Sequence, residues 1–286
     1  CPTGGITCSG VCVDSQTDTS NCGACGVACT AGQECRAGVC RTCLSTERLC
    51  GGACVNITGD NNNCGACGTV CASGSSCISG RCTGYGFTRG AMALIDACAL
   101  PGATTAILRG ADDSIGGALT LPFNFSFYGV SYNAVRPSSN GYILFGTAAD
   151  SRDNAYYPSM ALPDSTRPRP AAFMYNSDLY QRTTTGICAG VTGTAPNRRY
   201  VVETVNAAMC CGDTGSAHFT FEVVLNEADG SMDFIYGTLD TTGVGANFLA
   251  GVQNETATVG STYEYRSPGP LTMITSNMSL HVAALP

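Results

Sequence analysis

The chain has no lysine; all fourteen of its basic side chains are Arg. No Lys–Asn isopeptide staple or lysine-based cross-link can form, so disulfides and non-covalent packing must hold the fold. Tryptophan is also missing, which removes the strongest stacking residue for a sugar ring. Histidine occurs twice, as His218 and His281, too few for a three-His zinc site. Both lie in strand-like runs and no GxSxG is present, so no Ser or Cys has an evident base and no catalytic residue is expected. No stretch of eighteen apolar residues exists, so no membrane span is expected. Basic clusters are limited to Arg198-Arg199, and the formal net charge is −7 with a pI near 4.7. That balance argues against nucleic acid and against an anionic membrane surface as partners.

One further absence is local. Residues 1–84 contain no Phe, Tyr or Trp, whereas all 12 Tyr and 10 Phe lie from Tyr85 onward. A segment with only scattered aliphatic residues such as Val11, Val39, Leu44 and Ile78 cannot offset its chain entropy by apolar burial. It holds sixteen of the 20 cysteines instead. Asn21-Cys-Gly-Ala-Cys-Gly26 returns forty-two residues later as Asn63-Cys-Gly-Ala-Cys-Gly68. Around it, Cys1, Cys8, Cys12, Cys22, Cys25, Cys29, Cys35 and Cys40 match Cys43, Cys50, Cys54, Cys64, Cys67, Cys71, Cys77 and Cys82 with no change in spacing. The chain therefore divides into repeat 1 (1–40), repeat 2 (43–82), a Gly-rich joint (83–102) and a larger domain (103–286).

Cys22-x-x-Cys25 and Cys64-x-x-Cys67 have zinc-ribbon spacing. This cysteine density, without His or Lys, is instead the mark of an oxidised secreted module, so four disulfides per repeat are expected. Their connectivity stays open among about 105 pairings. Little regular structure is expected beyond two-stranded ribbons around Gly10–Val13 and Gly52–Val55, and with only Arg41-Thr42 between them the repeats should stack as a short stiff rod. The chain begins at a cysteine, as in a processed mature form; Cys1 is expected in a disulfide, as the counterpart of Cys43, rather than as a lipidated anchor.

The pattern C-x6-C-x3-C-x9-C-x2-C-x3-C-x5-C-x4-C around NCGACG resembles the cysteine-rich repeats of the stigma-specific Stig1 family. It is closer still to tandem repeats of that kind in surface proteins of myxobacteria. The resemblance covers residues 1–82 and implies location and architecture rather than catalysis.

Beyond the joint, Ala91–Ala99 is the best helix candidate. From Ala103 the pattern becomes strand-like, with turns every eight to twelve residues, as in a β-sandwich. In Leu119–Tyr128, Phe123, Phe125 and Phe127 fall on one face and Asn124 and Ser126 on the other. Strands are also expected at Tyr132–Val135, Tyr142–Phe145, Ala171–Met174, Arg199–Val205, His218–Leu225, Met232–Tyr236, Phe248–Val252 and Met278–Val282. In order, LPFNFSFYG, SSNGYILFG, RPAAFMYNSDL, APNRRYVVE, FTFEVVLNEADGSMDFIYG and AGVQN resemble a β-sandwich domain of bacterial cell-surface proteins, distantly nidogen-like. That domain usually carries a Trp before the acidic residue, here Asp178, and this chain has none. The fold class expected is all-β: two small disulfide-rich repeats with little regular structure, followed by a β-sandwich.

Carboxylate chemistry has few candidates. Glu203, Glu222 and Asp233 alternate with apolar neighbours and read as the solvent faces of strands. Asp112-Asp113, with Ser114 and Gly116, resembles an oxygen-ligand loop but lacks DxDxDG spacing, so no metal or cofactor is expected. The remaining cysteines, Cys98, Cys188, Cys210 and Cys211, should form two disulfides, with Cys210 and Cys211 each reaching a distant partner rather than closing a vicinal ring. The sequons at Asn56, Asn124, Asn254 and Asn277 read as fortuitous in a lysine-free, Ala- and Gly-rich chain of high-GC bacterial type. The segment 271–286 leaves two outcomes open: closing its own sandwich, or pairing with a neighbouring subunit's sheet edge. The functional expectation is a secreted, non-enzymatic structural or adhesive cell-surface protein, partnering itself or surface proteins and glycans in a fibre or surface assembly. The alternative is a carbohydrate-binding module using Tyr156, Tyr157 and Tyr180.

Overall fold

A computed structural model describes residues 1, 5–71, 75–149, 158, 160–210, 218–240, 247–267 and 271–285. The chain separates into two compact units that meet between Thr83 and Gly84.

Each repeat of the first unit folds into two short hairpins. Repeat 1 has β1 (Gly5–Cys8) with β2 (Val11–Asp14) and β3 (Gln33–Arg36) with β4 (Val39–Thr42). Repeat 2 has β5 (Glu47–Cys50) with β6 (Ala53–Asn56) and β7 (Ser75–Ile78) with the start of β8 (Arg81–Gly90). The first hairpin of each repeat lies where a ribbon was expected. The second closes around a Gly-containing turn that carries no periodic signal of its own.

Eight disulfides tie the hairpins in one pattern repeated at an offset of forty-two residues. They are Cys1–Cys12, Cys8–Cys25, Cys22–Cys35 and Cys29–Cys40, then Cys43–Cys54, Cys50–Cys67, Cys64–Cys77 and Cys71–Cys82. Among the described residues of this unit, the buried apolar side chains are Cys22, Cys35, Cys64 and Cys77. Sulfur thus occupies the place of an aliphatic core, and each bridge contributes about 2–4 kcal/mol by restricting the unfolded chain.

The repeated motif has a local cause. Asn21 Oδ1 accepts the Gly26 amide at 2.9 Å while its Nδ2 donates to Asp18 at 3.0 Å; Asn63 does the same with Gly68 and Asp60 at 2.9 and 2.8 Å. Gly23 sits at φ +78°, and a Cβ there would meet the Gly38 carbonyl oxygen at 2.5 Å. Gly65 faces Gly80 in the same way at 2.6 Å. Left-handed backbone and close approach together require glycine at that position.

The second unit, Gly84–Leu285, is a β-sandwich. Its strands are β9 (Thr104–Ile107), β10 (Leu119–Phe127), β11 (Val130–Pro137), β12 (Tyr142–Phe145), β13 (Ala171–Asn176), β14 (Leu179–Tyr180), β15 (Gly186–Thr192), β16 (Arg199–Met209), β17 (Phe219–Asn226), β18 (Met232–Leu239), β19 (Phe248–Gln253), β20 (Gly260–Arg266) and β21 (Met278–Ala284). One sheet has the order β10-β11-β12-β13-β19-β20. The other runs β8-β21-β18-β17-β16-β15-β9, with β14 also on β16, and the pairings are antiparallel. The inner faces share one core in which Phe125, Phe127 and Ile143 meet Phe219, Phe221, Val223 and Phe234. Along β10 the alternation is complete: Leu121, Phe123, Phe125 and Phe127 are buried, and Thr120, Pro122, Asn124 and Ser126 are exposed.

Two expectations change here, and one left open is decided. The first part of the joint is strand, because Tyr85–Gly90 pair with Ala284–Ser279. The helix at Ala91–Ala99 reduces to a single 3-10 turn at Ala97–Ala99. Its Ile95 and Ala97 amides are taken by carboxylates of the adjoining sheet rather than by a helical ladder. Lastly, β21 lies between β18 and β8, so it closes its own sandwich and is not available as a donated strand.

Candidate functional site

At one end of the sandwich three loop segments, 110–116, 138–141 and 176–182, are knotted by side-chain hydrogen bonds. Their hub is the Ser-Ser-Asn-Gly turn that leads into β12. Gly141 lies at φ +74°, and a Cβ there would fall 2.0 Å from the Tyr175 carbonyl oxygen. Only glycine lets the turn press so closely on β13. The neighbouring Asn140 is fully buried. Its Nδ2 donates to Asp113 Oδ1 at 2.9 Å, its Oδ1 accepts the Leu179 amide at 2.9 Å, and its carbonyl accepts from Asn176 Nδ2 at 3.1 Å. Gln181 Nε2 donates to the Ser139 carbonyl at 2.8 Å, and the Gln181 amide to Ala111 at 2.9 Å.

Two acidic side chains complete this knot. A carboxylate oxygen of Asp112 and one of Asp178 lie within 4.8 Å of each other, and Asp178 is buried. Burial, and secondly the charge of Asp113, raise the Asp112 carboxyl above its ordinary range. The Asp178 carbonyl accepts the Cys210 amide at 2.9 Å. Asp112 and Asp178, which sequence reasoning treated separately, are thus brought together. Asn140, Asn176 and Gln181 were missed, because neutral amides leave no trace in a search for charge or nucleophiles. The signal that could have found Asn140 was the Asn-Gly dipeptide immediately before the expected strand Tyr142–Phe145.

The other candidates are placed elsewhere. Glu203, Glu222 and Asp233 are buried rather than on solvent faces. Glu203 and Glu222 stand directly opposite on β16 and β17, on the outer face of their sheet. Glu222 accepts the Ile95 amide at 2.9 Å and Glu203 the Ala97 amide at 2.8 Å, so a strap of chain covers them. Burial pushes Glu203 up to about 7 and Glu222 up to about 8. The strap is fixed by Cys98–Cys188. That pairing corrects the expectation that Cys210 and Cys211 reach out to those cysteines; Cys210 is disulfide-bonded, and Cys211 lies outside the described residues. Asp233 pairs with His281 Nδ1 at 2.8 Å, and exposed His218 pairs with Asn206, whose carbonyl accepts from Arg182 Nε at 2.9 Å. Tyr180 is half-buried, and Tyr156 and Tyr157 lie outside the described residues. A separate cleft of about 350 Å³ is lined by Tyr132, Phe145, Arg169 and Glu255 among others.

A family model described as NIDO related matches residues 84–284, more than half of the chain. The chain belongs to the NIDO-related family. The NIDO-related region coincides with the sandwich and includes the knotted loops, the strap and β21. A second model, described as the stigma-specific STIG1-like protein family, matches residues 1–43 and again 41–85, one match for each repeat. Comparison with curated proteins and with solved structures finds no match. The disulfides and the two extracellular-type domains together point to a secreted or surface protein.

Proposed function

We propose that this NIDO-related chain is a non-enzymatic structural or adhesive protein of the cell exterior, serving as a subunit of a fibre or surface layer. The observation that carries the reading is the first unit: two repeats whose described buried apolar side chains are half-cystines, held by eight bridges. Such a unit keeps its shape only where thiols stay oxidised. A lysine-free surface adds resistance to cleavage at basic sites other than Arg. Since β21 is internal, assembly would use other surfaces, such as the edge strands β10 and β20. Electron microscopy and light scattering on native full-length material test this. Regular polymers, or retention on a cell surface, are expected; a monodisperse monomer with no surface retention overturns it.

A second reading rests on the cleft beside Tyr132. An aromatic ring, a guanidinium and a carboxylate around about 350 Å³ match the mixed face of a sugar. A glycan array answers it: a hit abolished by Tyr132→Ala favours binding, and a blank array removes it.

A further inference from the structure

The donors of the knotted loops are already engaged. Asn140 Nδ2 is on Asp113, Asn176 Nδ2 is on the Asn140 carbonyl, and Gln181 Nε2 is on the Ser139 carbonyl. What remains is oxygen. Asn176 and Gln181 are both 0 % exposed, yet Asn176 Oδ1 and Gln181 Oε1 have no hydrogen-bond partner. The same holds for buried Asp112 Oδ1. Buried acceptors are ordinarily satisfied, and a group of them in three segments that bond to one another calls for a shared positive partner.

We propose that these loops form a binding site for a hard divalent cation of the calcium class, with Asp112, Asp178, Asn176 and Gln181 as the side-chain ligands. Calcium takes six to eight oxygens at about 2.3–2.6 Å from carboxylates, amide carbonyls and water. Two such ligands across one ion stand about 4.8 Å apart or less, and the Asp112 and Asp178 oxygens lie within 4.8 Å. Magnesium fits less well, since it demands a tight octahedron and retains most of its waters. Zinc and copper prefer imidazole and thiolate, and the sulfur beside Asp112 belongs to disulfide-bonded Cys210. The inference goes beyond the proposed function: a calcium site serves a scaffold and a sugar binder equally, and its failure would leave both readings standing. Its effect would be to lock the loops at one end of the sandwich in extracellular calcium.

The test uses the full oxidised chain, stripped with chelator and titrated with calcium chloride in a calorimeter. One saturable equivalent is expected, with a Kd of about 0.1–1 mM as in other extracellular modules, and a rise in Tm. Terbium should be sensitised by excitation of the neighbouring tyrosines, and displaced by calcium but not by magnesium. Asp112→Asn should weaken binding tenfold or more. Gln181→Glu exchanges the unpartnered amide oxygen for a charged one but loses the Nε2 hydrogen bond to the Ser139 carbonyl, so it should be less stable than the parent in chelator and gain more Tm from calcium. Asp96→Asn, an exposed acid in the strap, should leave the calcium affinity unchanged. Absence of calcium heat and terbium emission in the parent, or an affinity unmoved by Asp112→Asn with no larger Tm gain in Gln181→Glu, overturns the proposal. Should Asp112→Asn fail to fold, Gln181→Glu decides alone.

Discussion

Two regions of one chain reach a stable fold by opposite means. In the repeats the buried apolar side chains among the described residues are half-cystines, and apolar residues such as Val11, Val39, Leu44 and Val70 stay more than 60 % exposed. In the sandwich Phe127, Phe219, Phe221 and Phe234 are fully buried, and Cys98–Cys188 lies on the outer face of a sheet rather than in the main core. The first region constrains the unfolded chain, and the second rewards the folded one. Each therefore fails under a different insult.

Reduction should separate them most. With thiol reductant and no denaturant, the repeats lose eight bridges at about 2–4 kcal/mol each, far more than so small a unit can spare. Amide protection over residues 5–71 should vanish. All tyrosines lie from Tyr85 onward, so tyrosine fluorescence reads the sandwich alone; the sandwich loses Cys98–Cys188 as well, but that bridge lies outside its aromatic core, and the signal should change little. A fluorescence transition coincident with loss of repeat protection would break the comparison.

The reciprocal lesion is Phe221→Ala. Phe221 is fully buried against Tyr175, with ring centroids 5.6 Å apart. Removing the ring should cost the sandwich about 3–5 kcal/mol, read as a lower denaturation midpoint in tyrosine fluorescence. Repeat protection should be unaffected.

The contrast also governs what can be read without coordinates. The repeats announced themselves because cysteine spacing is a covalent constraint that tolerates no drift, as the match of Cys1–Cys40 to Cys43–Cys82 shows. Strands with two distinct faces were equally open: β10 and β12 lie where alternation and the Asn-Gly turn put them. Strands with weak or mixed patterns were not. β8 and β20 carry Gly, Thr and Arg; β8 pairs with β21, distant in sequence, and β20 is an edge strand held only by the preceding β19. Glu203 and Glu222 misled for a related reason. Alternation says that a residue faces away from the main core, and it cannot say that a strap from residues 91–100 will cover that outer face. Of the candidate site, Asp112 and Asp178 were visible as charges. Their meeting, and the role of the amides, depend on loop positions that no local pattern encodes.

That strap gives the sandwich a pH dependence which the repeats should lack. Burial pushes Glu203 up to about 7 and Glu222 up to about 8 from the ordinary carboxylate range, with Asp96 adding to the rise at Glu203 and Arg199 opposing it at Glu222. The folded state therefore keeps protons that the unfolded chain releases. Their contribution is fully present below about pH 4.5 and is lost as pH rises through 7 and 8. Thermal melts by tyrosine fluorescence should show a lower Tm at pH 9 than at pH 6, and Glu203→Gln with Glu222→Gln should flatten that slope. An equal slope in the double variant would show that the acids under the strap are not its source.

The smallest effect belongs to the junction between repeats, where the first region makes a buried electrostatic contact. Glu34 is buried; its Oε2 accepts the Cys54 amide at 2.6 Å and its Oε1 pairs with Arg41, which also forks onto Glu47. The residues at the equivalent places are Ser76, Thr83 and Gly5, so this contact exists once, where repeat 1 meets repeat 2. Bridges fix each repeat internally, but among the described residues none joins one repeat to the other. Glu34→Gln should therefore leave the disulfide pattern and the sandwich melt untouched and speed exchange of the Cys54 amide alone. Spread of that exchange through either repeat would mean that the junction, and not only sulfur, holds the repeats in shape.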